Sequence, residues 1–201
     1  MIKNVVLDMG NVLLDFNPEA VMDEFCSSDE EKKIIDKELF NGPEWKMGDR
    51  GDIKDKDRFD LVKKRVPEKY HDALKNCADR WEICMNALPG AREFCEYVKD
   101  NGYGIYILSN ASDIFYSYFP KFLPLEFFNG VFVSFEYHML KPDVEIYEMF
   151  LEKYGLNAGE CLFIDDREDN CSGAKEAGFN TFCFKGDYQD IINHLIKERN
   201  S

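Results

Sequence analysis

The chain opens on Lys3-Asn4-Val5-Val6-Leu7-Asp8, a β-branched, apolar run with no alternation, which is the pattern of a parallel strand covered on both faces. Two later runs share that character. Gly104-Ile105-Tyr106-Ile107-Leu108-Ser109-Asn110 and Cys161-Leu162-Phe163-Ile164-Asp165-Asp166 are apolar and stop abruptly on polar residues. The shorter Val131-Phe132-Val133 and Thr181-Phe182-Cys183-Phe184 bring the set to about five strands. Helical signals lie between them. Ala91 to Asp100 ends at Asn101-Gly102, and Pro142 stands at the first position of a helix through Tyr154 that Gly155 closes. Asn170 to Ala177 stops at Gly178, and Asp187 caps a last helix to about Arg199. Strand alternating with helix predicts an α/β protein with a doubly wound parallel sheet.

Between Phe16 and Ala87 the texture changes to dense charge and helical periods. Asn17-Pro18 is a cap followed by a first helical position, and Ser28-Asp29-Glu30-Glu31 has the spacing of a capping box. A third helix is expected from Lys54 to Arg65 and a fourth from Glu68 to Met85, with Asn41-Gly42-Pro43 and Met47-Gly48-Asp49-Arg50-Gly51 as loops. The predicted division is a core of residues 1–15 and 88–201 interrupted by a helical insert, 16–87.

The chain has 201 residues, 45% of them hydrophobic, enough for one well-buried core and a modest accessory module. Its formal net charge of −14 argues against partnership with nucleic acid or an anionic membrane. The seven cysteines form no C-x-x-C pair and read as free thiols of a reducing cytoplasm, with no structural zinc. No stretch approaches the ~18 apolar residues of a membrane span, and no leader pattern precedes the first strand.

In an open parallel sheet, ligands bind beyond the carboxyl ends of the strands. Asp8, Ser109-Asn110 and Asp165-Asp166 are therefore expected to converge. Each alone also reads as an ordinary strand-terminal residue or helix cap. Crowded carboxylates must be protonated, paired or bound to a cation, and oxygen ligands with retained waters favour Mg²⁺.

Asp8-Met9-Gly10-Asn11-Val12, the run into Ser109-Asn110, Lys141-Pro142-Asp143, and Phe163-Ile164-Asp165-Asp166 with Asn170, Gly173-Ala174 and Ala177-Gly178 resemble the four ordered motifs of the haloacid dehalogenase superfamily. The resemblance spans essentially the whole chain, since that superfamily commonly carries a cap where the helical insert lies, on a Rossmann-like core. It implies a Mg²⁺-dependent phosphatase of a small phosphorylated metabolite, with a sugar phosphate favoured, working through an aspartyl-phosphate. Phosphoryl transfer to a carboxylate needs an in-line nucleophile, a cation to offset like charge, and donors on the equatorial oxygens. By the resemblance, Asp8 is the nucleophile and a metal ligand, Asp166 the main acidic ligand with Asp165 beside it, and the Gly10 carbonyl completes the metal set. Ser109 and the Asn110 amide would bind the phosphoryl oxygens, and Lys141 would neutralise both Asp8 and the phosphate.

One position departs from the pattern. Phosphatases of this superfamily usually carry a second Asp two residues after the nucleophile, as acid to the leaving oxygen and base for water; here it is Gly10. A subgroup with a sugar 1-phosphate phosphatase resembles this chain in its Asp-x-Gly-Asn-Val start and Asp-Asp ending. The gap predicts a steep dependence on the leaving group, which Gly10→Asp should flatten. Asp15 and His138 are candidate substitutes, although each also reads as a hinge or surface residue. Trp45 with Asp49-Arg50-Gly51 reads as packing within the insert ahead of substrate contact, and the stripe Tyr116, Tyr118, Phe119, Phe122, Phe127, Phe128 as sheet cover or a dimer patch. Competing readings are a 2-haloacid dehalogenase, which has no use for the acidic pair, and a non-catalytic phosphate-binding regulator. A signalling receiver is disfavoured because here the acidic pair comes last.

Overall fold

The computed structural model describes residues 1–200. Its strands are β1 (Asn4–Leu7), β2 (Leu14–Phe16), β3 (Met85–Ala87), β4 (Gly104–Ser109), β5 (Gly130–Val133), β6 (Cys161–Asp165) and β7 (Asn180–Cys183). Five form one parallel sheet in the order β5-β4-β1-β6-β7, and β2 pairs antiparallel with β3. The five expected strands are thus the sheet, with β1 at its centre.

The helices in chain order are α1 (Pro18–Phe25), α2 (Asp29–Ile35), α3 (Pro43–Arg50), α4 (Arg58–Val62), α5 (His71–Asp79), α6 (Ala91–Asp100), α7 (Phe115–Tyr118), α8 (Val144–Tyr154), α9 (Glu168–Glu176) and α10 (Tyr188–Arg199). Successive β1 residues explain the unbroken apolar run. Val5 and Leu7 join a cluster with Phe94 and Val98 of α6 and Ile191 of α10, whereas Val6 joins Ile146 and Phe150 of α8 and Ala174 of α9. Both faces of the sheet are buried, so polar residues are tolerated only at strand ends.

Local capping chemistry runs as the sequence demands. Asn17 accepts from the Glu19 N–H, Ser28 Oγ from the Glu31 N–H, and Asp187 from the Gln189 N–H. Five details differ from expectation. The third helix, expected from Lys54 to Arg65, is α-helical only over Arg58–Val62, with a 3₁₀ turn on either side. The stretch expected as loops around Gly42-Pro43 and Gly48-Asp49 forms α3, with Pro43 in its first turn and Gly51 ending it at φ 81°. The expected fourth helix breaks after Asp79 and finishes as a 3₁₀ turn into β3. The helix expected from Pro142 starts at Val144, because the Lys141 backbone is held by the Asn110 side chain. The ribbon β2-β3 had no periodic signal at three residues a strand.

Residues 18–84 hold helices and no strand, and the chain enters and leaves them side by side through the β2-β3 ribbon. Their apolar residues, among them Val21, Leu39, Leu74 and Trp81, are continuous with the α6 side of the sheet core. Among the described residues no helix is long and apolar enough to cross a membrane, and all seven cysteines are free.

Candidate active site

The tight turn after β1 sets the floor of the site. Asp8 is anchored by its N–H on the Ile164 carbonyl at 2.9 Å, and the Met9 carbonyl then receives the N–H groups of Leu13 and Leu14, both at 2.9 Å. Asn11 takes the left-handed conformation at φ 53°, which Asn tolerates better than most residues. The turn leaves Asp8 8% exposed at the carboxyl end of the central strand.

Opposite it, β6 ends on Asp165-Asp166. One carboxylate oxygen from each of Asp8, Asp165 and Asp166 lies within 4.8 Å of the others. Lys141 enters between them, its Nζ 2.8 Å from Asp8 Oδ1 and 2.7 Å from Asp165 Oδ2. Burial works to lower this ammonium, but Asp165 and Asp8 together outweigh it and hold its pKa above the usual range. Burial also pushes Asp8 up, to about 7, against the pull of Lys141.

The acceptors are unequally occupied. Asp165 receives Lys141, the Asn170 amide at 3.0 Å on each oxygen, and the Arg167 N–H at 3.0 Å, which fills the four sites of a carboxylate. Among the described residues Asp166 receives only the Asn11 amide, at 3.1 Å on Oδ2. Asp8 Oδ1 takes the Met9 N–H and Lys141, and among the described residues Oδ2 takes nothing. Among the same residues the Gly10 carbonyl accepts no bond. Among the described residues the unspent acceptors are therefore Asp8 Oδ2, Asp166 Oδ1 and the Gly10 carbonyl; the last two, beside the Asp8 carboxylate, make a hard-oxygen set that fits Mg²⁺ and leave Asp8 Oδ2 open for attack.

The resemblance-based donors divide. Ser109 Oγ is buried at the end of β4 without a hydrogen-bond partner, a deficit that a ligand oxygen could relieve, but Ser109 does not line the cavity. The Asn110 side chain lines it, yet is spent in a reciprocal pair with the Lys141 backbone, at 3.0 and 2.9 Å. What Asn110 leaves free is its backbone N–H. Neither Asp15 nor His138 lines the cavity; His138 is exposed at φ 54°.

Above these groups the cavity encloses about 600 Å³. Its upper wall is aromatic: Trp45 packs against Phe16, Phe40 and Trp81 with ring centroids 5.1–5.5 Å apart, and Trp81 meets Tyr118 at 5.4 Å. Trp45 thus packs within the helical segment and faces the cavity. Of the aromatic stripe 116–128 only Tyr118 reaches it; Phe119 and Phe128 are buried against the sheet. Asp49 lines the same wall. Asn11, Asn170 and Asp49 are the residues to which sequence reasoning assigned no chemical task.

The description of haloacid dehalogenase-like hydrolases matches residues 2–178. The chain belongs to that family. The haloacid dehalogenase-like hydrolase is 26% identical over 178 residues to a sesquiterpene phosphatase of Aspergillus oryzae, covering 88% of this chain and 86% of that one. It is 25% identical over 201 residues to a D-ribitol-5-phosphate phosphatase of Bacteroides thetaiotaomicron, covering 90% and 91%. Among solved structures, a family enzyme from Bacteroides thetaiotaomicron in complex with magnesium and inorganic phosphate superposes with a TM-score of 0.74 at 26% identity, over 95% of this chain and 99% of that one. An L-2-haloacid dehalogenase of Xanthobacter autotrophicus shares the fold, with a TM-score of 0.65 at 18% identity over 90% and 76%.

Proposed function

We propose that this hydrolase cleaves a small phosphate monoester in two steps through an aspartyl-phosphate on Asp8. The observation that carries the reading is the free Asp8 Oδ2 beside a buried lysine and two further carboxylates. Asp8 Oδ2 attacks phosphorus in line, Lys141 offsets the charge brought together, and the free N–H groups of Gly10 and Asn110 donate to phosphoryl oxygens. Asp166, the Gly10 carbonyl and the Asp8 carboxylate, through the oxygen that does not attack, would hold Mg²⁺, which would supply the remaining positive charge. Asp165, with its acceptors filled, fixes Lys141 and Asn170 beside that set.

Residues 16–87 act in this reading as a mobile cap, hinged near the β2-β3 ribbon, that excludes water while Asp8 attacks and admits it afterwards. The organic part of the ester would lie against the aromatic wall. A sugar phosphate meets this condition through the C–H face of its ring. The wall of Trp45, Trp81, Phe16, Phe40 and Tyr118 also favours a second substrate reading, an apolar ester of the kind named for the sesquiterpene phosphatase. Both are esters in the cytoplasm, and the −14 charge leaves nucleic acid and membrane aside as partners.

The test is phosphate release from a panel of sugar, aryl and isoprenoid monophosphates with Mg²⁺ and with EDTA. The reading expects activity only with Mg²⁺ and none in Asp8→Asn, which keeps the shape and removes the nucleophile. Metal-independent halide release from a 2-haloacid, with no phosphate released, would move the chain to the dehalogenase reading; binding of phosphate esters without turnover would make it a regulator.

A further inference from the structure

Gly10 leaves the reaction without an acid for the leaving oxygen. In an in-line displacement that oxygen lies across phosphorus from the attacking Asp8 Oδ2. It therefore points away from the sheet edge, toward the wall built by the helical segment.

Four carboxylates line the cavity: Asp8, Asp166, Asp169 and Asp49. The first two are the proposed nucleophile and ligand. Asp169 is exposed and held ionised by Arg167, which binds it through Nε at 3.0 Å and Nη2 at 2.7 Å. Asp49 differs from all three. It sits near the end of α3, its side chain 17% exposed, and among the described residues no hydrogen-bond donor reaches its carboxylate oxygens. Burial raises its carboxyl to about 7, opposed by Arg58 and reinforced by Asp55 and Asp8.

The surroundings hold Asp49 over the site. Its backbone carbonyl accepts a short hydrogen bond from Ser134 Oγ, which follows β5. Nearby, the Asp55 N–H donates to Asp113 at 2.9 Å and Ser112 Oγ to Asp55 at 3.3 Å, so in this conformation α3 and the segment after it rest against the sheet edge. Beneath Asp49 lies Arg58, fully buried, stacked 4.1 Å above the Trp45 ring. Arg58 Nη2 is 3.7 Å from Asp49 Oδ1 and Nη1 3.2 Å from Asp55 Oδ1, with no aligned hydrogen bond from any of its nitrogens. Gly48 admits this guanidinium, since a Cβ there would lie 2.4 Å from Arg58 Nη2. The charged and titratable groups facing Asp49 are thus Arg58, Asp55, Asp8 and the Tyr118 phenol, with Lys46 on its own helix.

We propose that Asp49 is the general acid and base of the reaction, taking the task for which Gly10 has no side chain. The inference rests on the phosphate-ester reading. As Asp8 Oδ2 bonds to phosphorus, the bond from phosphorus to the ester oxygen breaks with its electron pair on that oxygen. The Asp49 carboxyl gives it a proton, and the alcohol departs. The Asp49 carboxylate then takes a proton from water, whose oxygen bonds to phosphorus while the bond to Asp8 Oδ2 breaks. Phosphate leaves, and Asp49 is again protonated.

The experiment compares the wild type with Asp49→Asn and Asp49→Glu on p-nitrophenyl phosphate and on an alkyl monophosphate, with Mg²⁺, following the pre-steady state and steady state. A p-nitrophenolate leaves without a proton, whereas an alkoxide needs one. Asp49→Asn should therefore lose about 10²–10³-fold in kcat/KM on the alkyl ester while its p-nitrophenolate burst stays within about threefold of wild type, followed by slow turnover as the base is missing. Asp49→Glu should keep the alkyl activity to within about tenfold. Equal losses on both esters without a burst, or an Asp49→Glu variant as poor as Asp49→Asn on the alkyl ester, would overturn the assignment. A wild type that releases phosphate from neither ester would instead overturn the phosphate-ester reading beneath it.

Discussion

Gly10→Asp is the substitution on which two accounts of the missing acid part company. An ideal Cβ on Gly10 meets no atom within 4 Å, and its φ lies outside the left-handed region, so the backbone accepts a side chain; the loss of glycine's unfolded-state freedom favours the variant by about 0.4–1 kcal/mol. The new carboxyl joins Asp8, Asp165 and Asp166, already gathered within 4.8 Å. One further charge at about 4 Å interacts by about 4 kcal/mol at an effective dielectric near 20, which is roughly three pKa units. The added group is therefore protonated near neutrality and competent as an acid, a function worth about 10²–10⁴-fold where none exists. Sequence alone predicts that gain in the native background. With Asp49 already in place, alkyl-ester turnover in Gly10→Asp should stay within about fivefold of wild type, whereas in the Asp49→Asn background the same change should recover at least about tenfold. The assay is kcat/KM for alkyl and p-nitrophenyl phosphates across the four proteins of the cycle. A gain of about 100-fold or more on alkyl esters from Gly10→Asp alone would show that no acid serves the leaving oxygen in the native protein.

Other predictions follow from the same contacts. Asp49→Asn should be more stable than wild type above neutrality: a carboxyl raised from 3.8 to about 7 makes the folded state hold a proton the unfolded chain loses, so wild-type stability falls as pH rises from about 4 through 7, by at most about 4 kcal/mol. Denaturant melts at pH 5 and 8 check this, and a wild type no less stable at pH 8 relative to the variant contradicts it. Asp166→Ala should weaken Mg²⁺ binding more than Asp165→Ala, which should instead cost about 3–5 kcal/mol of stability by leaving buried Lys141 short of a partner; calorimetric titration and melts of both variants separate the two effects. Because burial raises Asp8 to about 7 and a protonated carboxyl does not ligate, Mg²⁺ affinity should fall about tenfold per pH unit below that value, and affinity unchanged between pH 5.5 and 7.5 would contradict it.

What the sequence disclosed depended on how local each signal was. The β1, β4 and β6 runs were legible because burial on both faces removes alternation and confines Asp8, Ser109 and Asp165 to strand ends. Helix α3 was not, because Gly42-Pro43, Gly48 and Gly51 look like loop punctuation. Gly48 is there for a non-local reason, the Arg58 guanidinium that occupies the place of its side chain. The resemblance named Asn110 as a phosphoryl donor without distinguishing side chain from backbone; its side chain fits the Lys141 peptide instead, a pairing 31 residues apart that no local pattern encodes. Asn11 stands within the Asp8–Val12 motif, but nothing local marks it as the group that orients Asp166. Asp49 becomes a candidate only when α3 is laid over β1, since its environment is assembled from Arg58, Asp55 and Asp8.

In the proposed reaction phosphorus is displaced twice, first by Asp8 and then by water. The stereochemical course of hydrolysis of a monoester made chiral at phosphorus with oxygen isotopes and sulfur reads this out, since two in-line displacements restore the starting configuration and one inverts it. The wild-type protein with Mg²⁺ should release phosphate with retention. Inversion would show that water attacks the ester directly and would leave Asp8 without its role as nucleophile.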